Sequence, residues 1–373
     1  MKLQPFKLER FFAKYEFKAP YLLSSSDCES LSIAELLALE PGAAEAFQQC
    51  WLGYTESSGD PPLRQEITRL YGSINPDDVL VHTGAEEAIF TFMNAVLAPG
   101  DHVIVHFPCY QSLIEIARSI GCDVTKWETS PQVGWELDID LLKRSIRPNT
   151  RVIIFNCPHN PTGYLMGRDK LDRIVELARA QGILIFSDEV YRHLEHNPED
   201  RLPAACDLYE NAVSLGVMSK TYGLAGLRIG WIATRNRDVY GAMASVKDYL
   251  SICNSAPSEF LAGVALRNRE SIAARNLAII QRNLALLDEF FAQHTEVFDW
   301  RRPRAGSTAF PGIRLDQSVE AFCEDVVERS GVLLLPSTAF DYGDKHFRVG
   351  YGRKNLGDAV QKLDSYLQRD FRC

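Results

Sequence analysis

One pattern constrains this chain more than any other. From about residue 77, short runs that are apolar on both faces alternate with segments of helical period. Val79–His82 precedes Ala85–Leu97, Val103–His106 precedes Gln111–Ile120, and Val152–Phe155 precedes Lys170–Ala180. Ile183–Phe186, Ala212–Val217 and Ile229–Ala233 follow in the same style. Runs without polar alternation suit parallel strands covered by helices on both sides. Gly121 and Gly182 each follow the last periodic residue of a helical segment, where a left-handed C-cap is needed. The repeated order predicts an α/β fold with a right-handed, wound, mostly parallel sheet between helices.

After residue 255 the texture changes. A long helical pattern over Glu259–His294 gives way to Ser307–Leu315, a helix around Val319–Arg329, strand-like segments at Val332–Leu335 and Phe347–Gly350, and a final amphipathic helix at Leu356–Leu367. At 373 residues the chain is long for one core. The expectation is a large α/β unit over 45–270 and a smaller α+β unit formed by 1–44 together with 271–373, with a cleft between them. Hydrophobic residues at 46% and charged residues at 24% exclude a disordered or fibrous chain. A formal net charge of −9, with no block of five like charges, argues against coating nucleic acid or an anionic membrane. The nine cysteines are scattered and never spaced C-x-x-C, and the eight histidines include no H-E-x-x-H, so reduced thiols and no metal site are expected. No run of eighteen apolar residues occurs, and Met1–Pro20 does not resemble a signal peptide. A cytoplasmic protein acting on small molecules is the expectation.

Four motifs fall where strands should end. Ser219-Lys220-Thr221-Tyr222-Gly223 follows a buried strand, and a lysine there is desolvated, which lowers its pKa and suits it to attack carbonyl compounds. Alone, it could equally snorkel out of a loop. Asp188-Glu189-Val190-Tyr191 ends another strand, so Asp188 should face the crevice at the carboxyl edge of the sheet, or else merely cap a turn. His159-Asn160-Pro161-Thr162-Gly163 is turn chemistry first, but its place makes Asn160 a candidate donor into that crevice. Thr83-Gly84-Ala85-Glu86-Glu87 marks a strand becoming a helix, whose free amides suit a phosphate. The plainer reading there is a turning glycine with Glu86 and Glu87 complementing the helix dipole.

In this order and spacing the motifs resemble those of fold-type-I pyridoxal-phosphate enzymes, in particular class I/II aminotransferases, from about Trp51 through the last strand. The resemblance implies a pyridoxal 5'-phosphate cofactor and a role for each matching residue. Lys220 resembles the Schiff-base lysine, Asp188 the partner of the pyridine nitrogen, and Asn160 and Tyr191 the donors to the ring oxygen. Tyr110 matches the aromatic stacked on the cofactor ring. The amides of Ala85 and Glu86, with Arg228, match the phosphate cradle. Tyr54 matches a tyrosine that reaches the neighbouring subunit's phosphate, which implies a homodimer with shared active sites. Arg348, in Phe347-Arg348-Val349-Gly350, looks like the grip on the substrate carboxylate, a task for which a guanidinium fork is suited. Two positions depart from the pattern. Val217 stands where the family usually has a phosphate-binding hydroxyl, so that contact is either missing or supplied by Ser219 or Thr221. Leu23-Ser24-Ser25-Ser26-Asp27 replaces the glycine-rich substrate loop of common aspartate aminotransferases and puts Ser26 at the substrate.

The activity implied is transfer of an amino group between an L-amino acid and a 2-oxo acid. A second reading keeps the cofactor with another reaction: the serine loop and Gly306-Ser307-Thr308-Ala309-Phe310 are similar to capreomycidine synthases, fold-type-I cyclases acting on a hydroxylated arginine. In that case Asp27 and Glu29 could hold a guanidinium, although simple solvent exposure is the plainer reading of both. A third, a non-enzymatic regulator reusing the fold, lacks residues for an extra DNA-binding domain.

Overall fold

The computed structural model describes residues 2–370, so Cys373 lies outside the described residues. Its centre is a seven-stranded sheet of β1 (Val79–His82), β2 (His102–Phe107), β3 (Asp123–Glu128), β4 (Thr150–Asn156), β5 (Leu184–Asp188), β6 (Ala212–Val217) and β7 (Gly230–Ala233). The strand order is β1-β7-β6-β5-β4-β2-β3. Neighbours from β3 to β6 are parallel, whereas β7 runs antiparallel to both β6 and β1. The expected parallel direction of the 229–233 run is therefore corrected. A run apolar on both faces reports coverage on both faces, which β7 has, and is silent about direction.

Alternate residues enter two cores, as the pattern requires. Val103, Val105, Val152, Ile154 and Phe186 pack on one face with Ala88 and Phe92 of the helix Ala85–Val96. Ile104, Ile153, Phe155 and Ile185 pack on the other with Leu171, Ile174 and Ala178 of the helix Arg168–Gln181. Gly121 and Gly182 close their helices in the left-handed conformation. β3 and the helix Ile139–Ser145 are additions to the sequence reading. β3 is an edge strand, Asp-Val-Thr-Lys-Trp-Glu, with only Trp127 buried, so it carries no apolar run.

The expected helix over 259–294 is two helices, Ala256–Arg267 and Arg269–Gln293, meeting at Asn268 (φ −104°, ψ 17°). The Asn268 side chain donates to the Val264 carbonyl at 2.9 Å and so competes with the helical ladder at the joint. Beyond it lie two small sheets, from β8 (Phe298–Asp299), β9 (Thr308–Ala309), β10 (Gly312–Ile313), β11 (Leu335–Pro336) and β12 (Phe347–Gly350), paired β10-β8 and β11-β12-β9. The expected strand at 332–335 shortens to β11 because Val332 bridges instead to Tyr21. The chain start is thereby drawn across this region: Gly350 N–H donates to Leu23 O at 2.8 Å, and Cys28 N–H to Lys220 O at 3.3 Å. Eight described cysteines are free thiols. Among the described residues no helix is long and apolar enough to cross a membrane.

The reversal of β7 has a structural result. His82 pairs with Gly230, and Gly230 with Val217, so β7 begins at the edge where β1 and β6 end. The contact is close: a Cβ on Gly230 would sit 2.7 Å from Gly84 C and 2.9 Å from Ala85 N. Gly230→Ala should therefore lower stability by roughly 1–3 kcal/mol, the cost of overpacking against a backbone that cannot yield. Gly241→Ala, on an exposed helical position with open space for a methyl, should raise it by roughly 0.5–1 kcal/mol. Denaturant unfolding of both variants checks the pair.

Candidate active site

The carboxyl ends of β4, β5 and β6 and the start of β7 open onto one cavity of about 380 Å³. Ser26, Ala85, Glu86, Tyr110, Asn160, Asp188, Tyr191, Ser219, Lys220, Arg228 and Arg348 all line it. Tyr54 does not: it is 86% exposed on the surface, and a single chain does not bring it to the cavity.

Lys220 follows β6, and burial pulls its ammonium below the usual lysine range. Its Nζ donates to Ser26 Oγ at 2.7 Å, so the serine strap and the lysine meet directly. Asp188 is the last residue of β5 and only 6% exposed. Burial pushes its carboxyl up to about 7, against a partial offset from the Val190 N–H that donates to Oδ1 at 3.3 Å. Asn156, a residue the motifs did not single out, fixes the neighbourhood. Its Nδ2 donates to Asp188 O at 2.9 Å and its Oδ1 accepts from Asn160 N–H at 2.7 Å. His159 pins the same turn, with Nδ1 2.7 Å from Thr162 Oγ1 and Nε2 2.8 Å from Pro108 O, its ring stacked 3.8 Å from His106. Burial pushes His159 down to about 3, so it holds the turn as a neutral ring.

Arg348, on β12, is 1% exposed. Its Nε and Nη2 donate to Ser24 O at 3.1 and 2.8 Å, and Nη1 donates to Asn160 Oδ1 at 3.3 Å. The guanidinium thus also supports the 23–28 strap, and burial lowers its pKa. The Asn160 amide keeps its Nδ2 for another acceptor. The Tyr191 hydroxyl is buried with no hydrogen-bond partner among the described residues, a cost that a ligand would remove.

At the other end, Gly84 (φ 87°) turns the chain into the helix that begins at Ala85. A Cβ on Gly84 would lie 2.8 Å from Arg228 Nη2, so the guanidinium occupies the space over the helix start. Arg228 holds a left-handed backbone (φ 52°), a conformation a non-glycine residue adopts at a cost. Glu86 is more than a partner of the helix dipole: Ser112 Oγ donates to its Oε2 at 3.1 Å, and burial pushes it up to about 7. Val217 is buried at the end of β6. Thr221 is engaged, donating to Arg192 O at 2.7 Å, which leaves Ser219 as the hydroxyl at the cavity.

Three further lining residues escaped the sequence reading. Glu9, Phe12 and Glu16, spaced three and four along the chain start, project from the helix Lys7–Tyr15 and its end. Their spacing was visible; that this helix docks over the cavity is tertiary and was not. Asp27 and Glu29, weighed above for a substrate guanidinium, are engaged within the chain. Asp27 already binds the chain's own Arg353, Nη2 to Oδ2 at 2.7 Å, and Glu29 Oε2 accepts from Lys354 N–H at 2.8 Å.

The sequence of residues 22–363 matches the family model of aminotransferase class I and II. The chain belongs to this family. This class I/II chain is 30% identical to capreomycidine synthase of Streptomyces vinaceus, over 92% of the chain and 88% of that protein. In structure it is similar to a pyridoxal-phosphate-dependent aminotransferase from Streptococcus suis (TM-score 0.94, 33% identity, all of both chains). It is also similar to the pyridoxal-phosphate-dependent cyclase OrfR (TM-score 0.91, 29% identity, 99% and 98% of the two chains). The cofactor of class I/II aminotransferases is pyridoxal 5'-phosphate, and the cavity fits it. An orphaned Tyr191 hydroxyl, a buried carboxyl, a desolvated lysine and a guanidinium over free helix amides are complementary to its ring oxygen, pyridine nitrogen, aldehyde and phosphate.

Asp188 gives a pH test of that complementarity. Its folded pKa lies above the ordinary carboxylate value, so the cofactor-free protein binds this proton more tightly than the unfolded chain does. Stability is lost as pH rises from about 4 to about 7. Asp188→Asn cannot ionise. Its stability relative to the parent, both stripped of cofactor, should rise by roughly 2–3 kcal/mol between pH 5 and pH 8. A gap that stays constant across those pH values would contradict the assignment.

Proposed function

We propose that this chain is an aminotransferase that moves an amino group between an L-amino acid and a 2-oxo acid. The observation that supports it best is the meeting of Lys220, Asp188 and the buried Arg348 in one cavity. When bound, pyridoxal phosphate supplies an electron-poor ring into which electrons from a broken bond at the substrate's α-carbon can flow.

The chain's own residues do the rest. The Lys220 amine, its proton made less tightly held by burial, is the point of covalent attachment. With its amine free, Lys220 would be the base that takes and returns the α-proton. The Asp188 carboxylate accepts the N–H of the protonated ring and in return has its own burial compensated. Tyr191 and the free Nδ2 of Asn160 would donate to the ring oxygen, and Tyr110 would line one face of the ring. The amides of Ala85 and Glu86, Ser219 and Arg228 hold the phosphate. Arg348 fixes the substrate carboxylate through N–H groups not used on Ser24 and Asn160. That orients the α-proton towards Lys220, while Ser26 keeps the lysine in place at 2.7 Å.

The division into 45–270 and 1–44 with 271–373 belongs to the same proposal, as does a two-fold homodimer. Trp51, Leu52 and Tyr54 are 78%, 80% and 86% exposed, and Tyr249 is 91% exposed. Aromatic and apolar side chains left open in this way suit an isologous interface that would carry Tyr54 to the partner's phosphate. The likeness to capreomycidine synthase and to a cyclase supports a second reading, cyclisation of an amino acid with the same cofactor.

A half-reaction separates the two. The yellow holoenzyme is mixed with single amino acids and no 2-oxo acid. An aminotransferase releases one 2-oxo acid per cofactor, bleaches and stops, and recovers its colour when a 2-oxo acid is added. Sustained turnover with the colour retained would contradict transamination and favour the cyclase.

A further inference from the structure

The charges lining the cavity do not balance once each proposed task is assigned. Arg228 faces the phosphate, Asp188 the ring nitrogen and Arg348 the substrate carboxylate. Arg353 and Asp27 neutralise each other at 2.7 Å, and Glu86 is held by Ser112. Two acids remain, Glu9 and Glu16, and among the described residues neither has an ion-pair partner. Two of the cations near them in sequence are engaged elsewhere: Lys7 pairs with Asp341, and Lys14 with Glu324 at 3.0 Å, while Arg10 and Lys18 form no ion pair with either acid among the described residues. These pairs, with buried Leu8 and Tyr15, hold the helix Lys7–Tyr15 down with its acids towards the cavity.

Spacing sets where the acids stand. Phe12 lies between them on the same helical face, and its ring centroid is 5.8 Å from the Arg348 Cζ. Glu9 is three residues before Phe12 and Glu16 four after, about one helical turn of 5.4 Å on either side. A substrate gripped by Arg348 beneath Phe12 therefore extends its side chain below these two carboxylates. Burial, then the charges of Glu9 and Asp27, push Glu16 up against a partial offset from Arg353 and Arg348, so a cation arriving there would meet acids that these arginines compensate only in part. Tyr191, 2% exposed, also lines the cavity, and its buried hydroxyl, near Ser26, makes no hydrogen bond of normal geometry among the described residues, as in a site built for a ligand.

We propose that Glu9 and Glu16 are specificity-determining residues that select an amino-acid substrate whose side chain carries an ammonium or guanidinium group. The proposal rests on the aminotransferase-type site proposed above but not on which reaction follows. An acidic side chain would meet two like charges, and Arg353, a cation lining the cavity, is already paired with Asp27.

Binding can be measured without turnover by titrating the holoenzyme with α-methyl amino acids, which lack the α-proton, and following the cofactor absorbance. α-Methyl-L-lysine and α-methyl-L-norleucine differ in the terminal ammonium. The parent should bind the lysine analogue about tenfold or more tighter, the preference falling as salt is added. Glu9→Gln/Glu16→Gln should bring the two analogues within about twofold by weakening the lysine analogue alone, each single variant lying between. An unchanged norleucine-analogue affinity and melting temperature would show that the variants fold. Equal affinities in the parent, or a preference that survives the double substitution, would overturn the proposal. If neither analogue perturbs the absorbance, the amino-acid site itself is refuted, and this inference with it.

Discussion

The site depends on two close approaches, each made possible by a missing methyl group. Gly230 lets the start of β7 lie against the backbone of Gly84 and Ala85, 2.7 and 2.9 Å from a Cβ that is not there. Gly84 leaves room for the Arg228 guanidinium, whose Nη2 is 2.8 Å from where a Cβ on Gly84 would be. Because β7 runs against its neighbours, the connection from 218 to 229 leaves β6 and returns at the same edge. Lys220 and Arg228, eight residues apart, are thereby held on one side of the sheet over the open helix amides. A parallel seventh strand would need a crossover to the opposite edge and would carry Arg228 away.

Around that frame the cavity gathers groups that are costly when no ligand is bound. A buried carboxyl at Asp188, a desolvated amine at Lys220, an orphaned hydroxyl at Tyr191 and a left-handed Arg228 all oppose the stability of the bare fold. In the proposed site the carboxyl, the amine and the hydroxyl would each be relieved by a different part of one cofactor. The 23–28 strap belongs to the same arrangement: its Ser24 carbonyl is held by Arg348 and its Ser26 hydroxyl by Lys220, so the strap that lines the cavity is tied to both residues.

Much of this was legible in the sequence, and the reasons for the rest are physical. The doubly apolar runs located six of the seven central strands, and strand-end motifs placed Lys220, Asp188, Asn160, Tyr191 and Arg228 at one edge. β3 stayed hidden because an edge strand with one buried side chain has no apolar run. The direction of β7 stayed hidden because burial patterns are the same in both directions. The joint at Asn268 is masked by a helical period that continues through it. Glu9, Phe12 and Glu16 share a face in any helix; what brings that face to the cavity is docking across 300 residues of chain, through pairs such as Lys14 with Glu324. Tyr54 is the converse case, a motif residue whose proposed place needs a second copy of the chain.

The central claim is that Lys220 is the residue through which this protein carries its cofactor. Borohydride reduction of the holoenzyme, followed by peptide mapping, tests it most directly. The account predicts one pyridoxyl label per chain, on the peptide containing Ser219-Lys220-Thr221, and none in Lys220→Ala. Label on another lysine, or bound cofactor that reduction fails to fix to the chain, would contradict it.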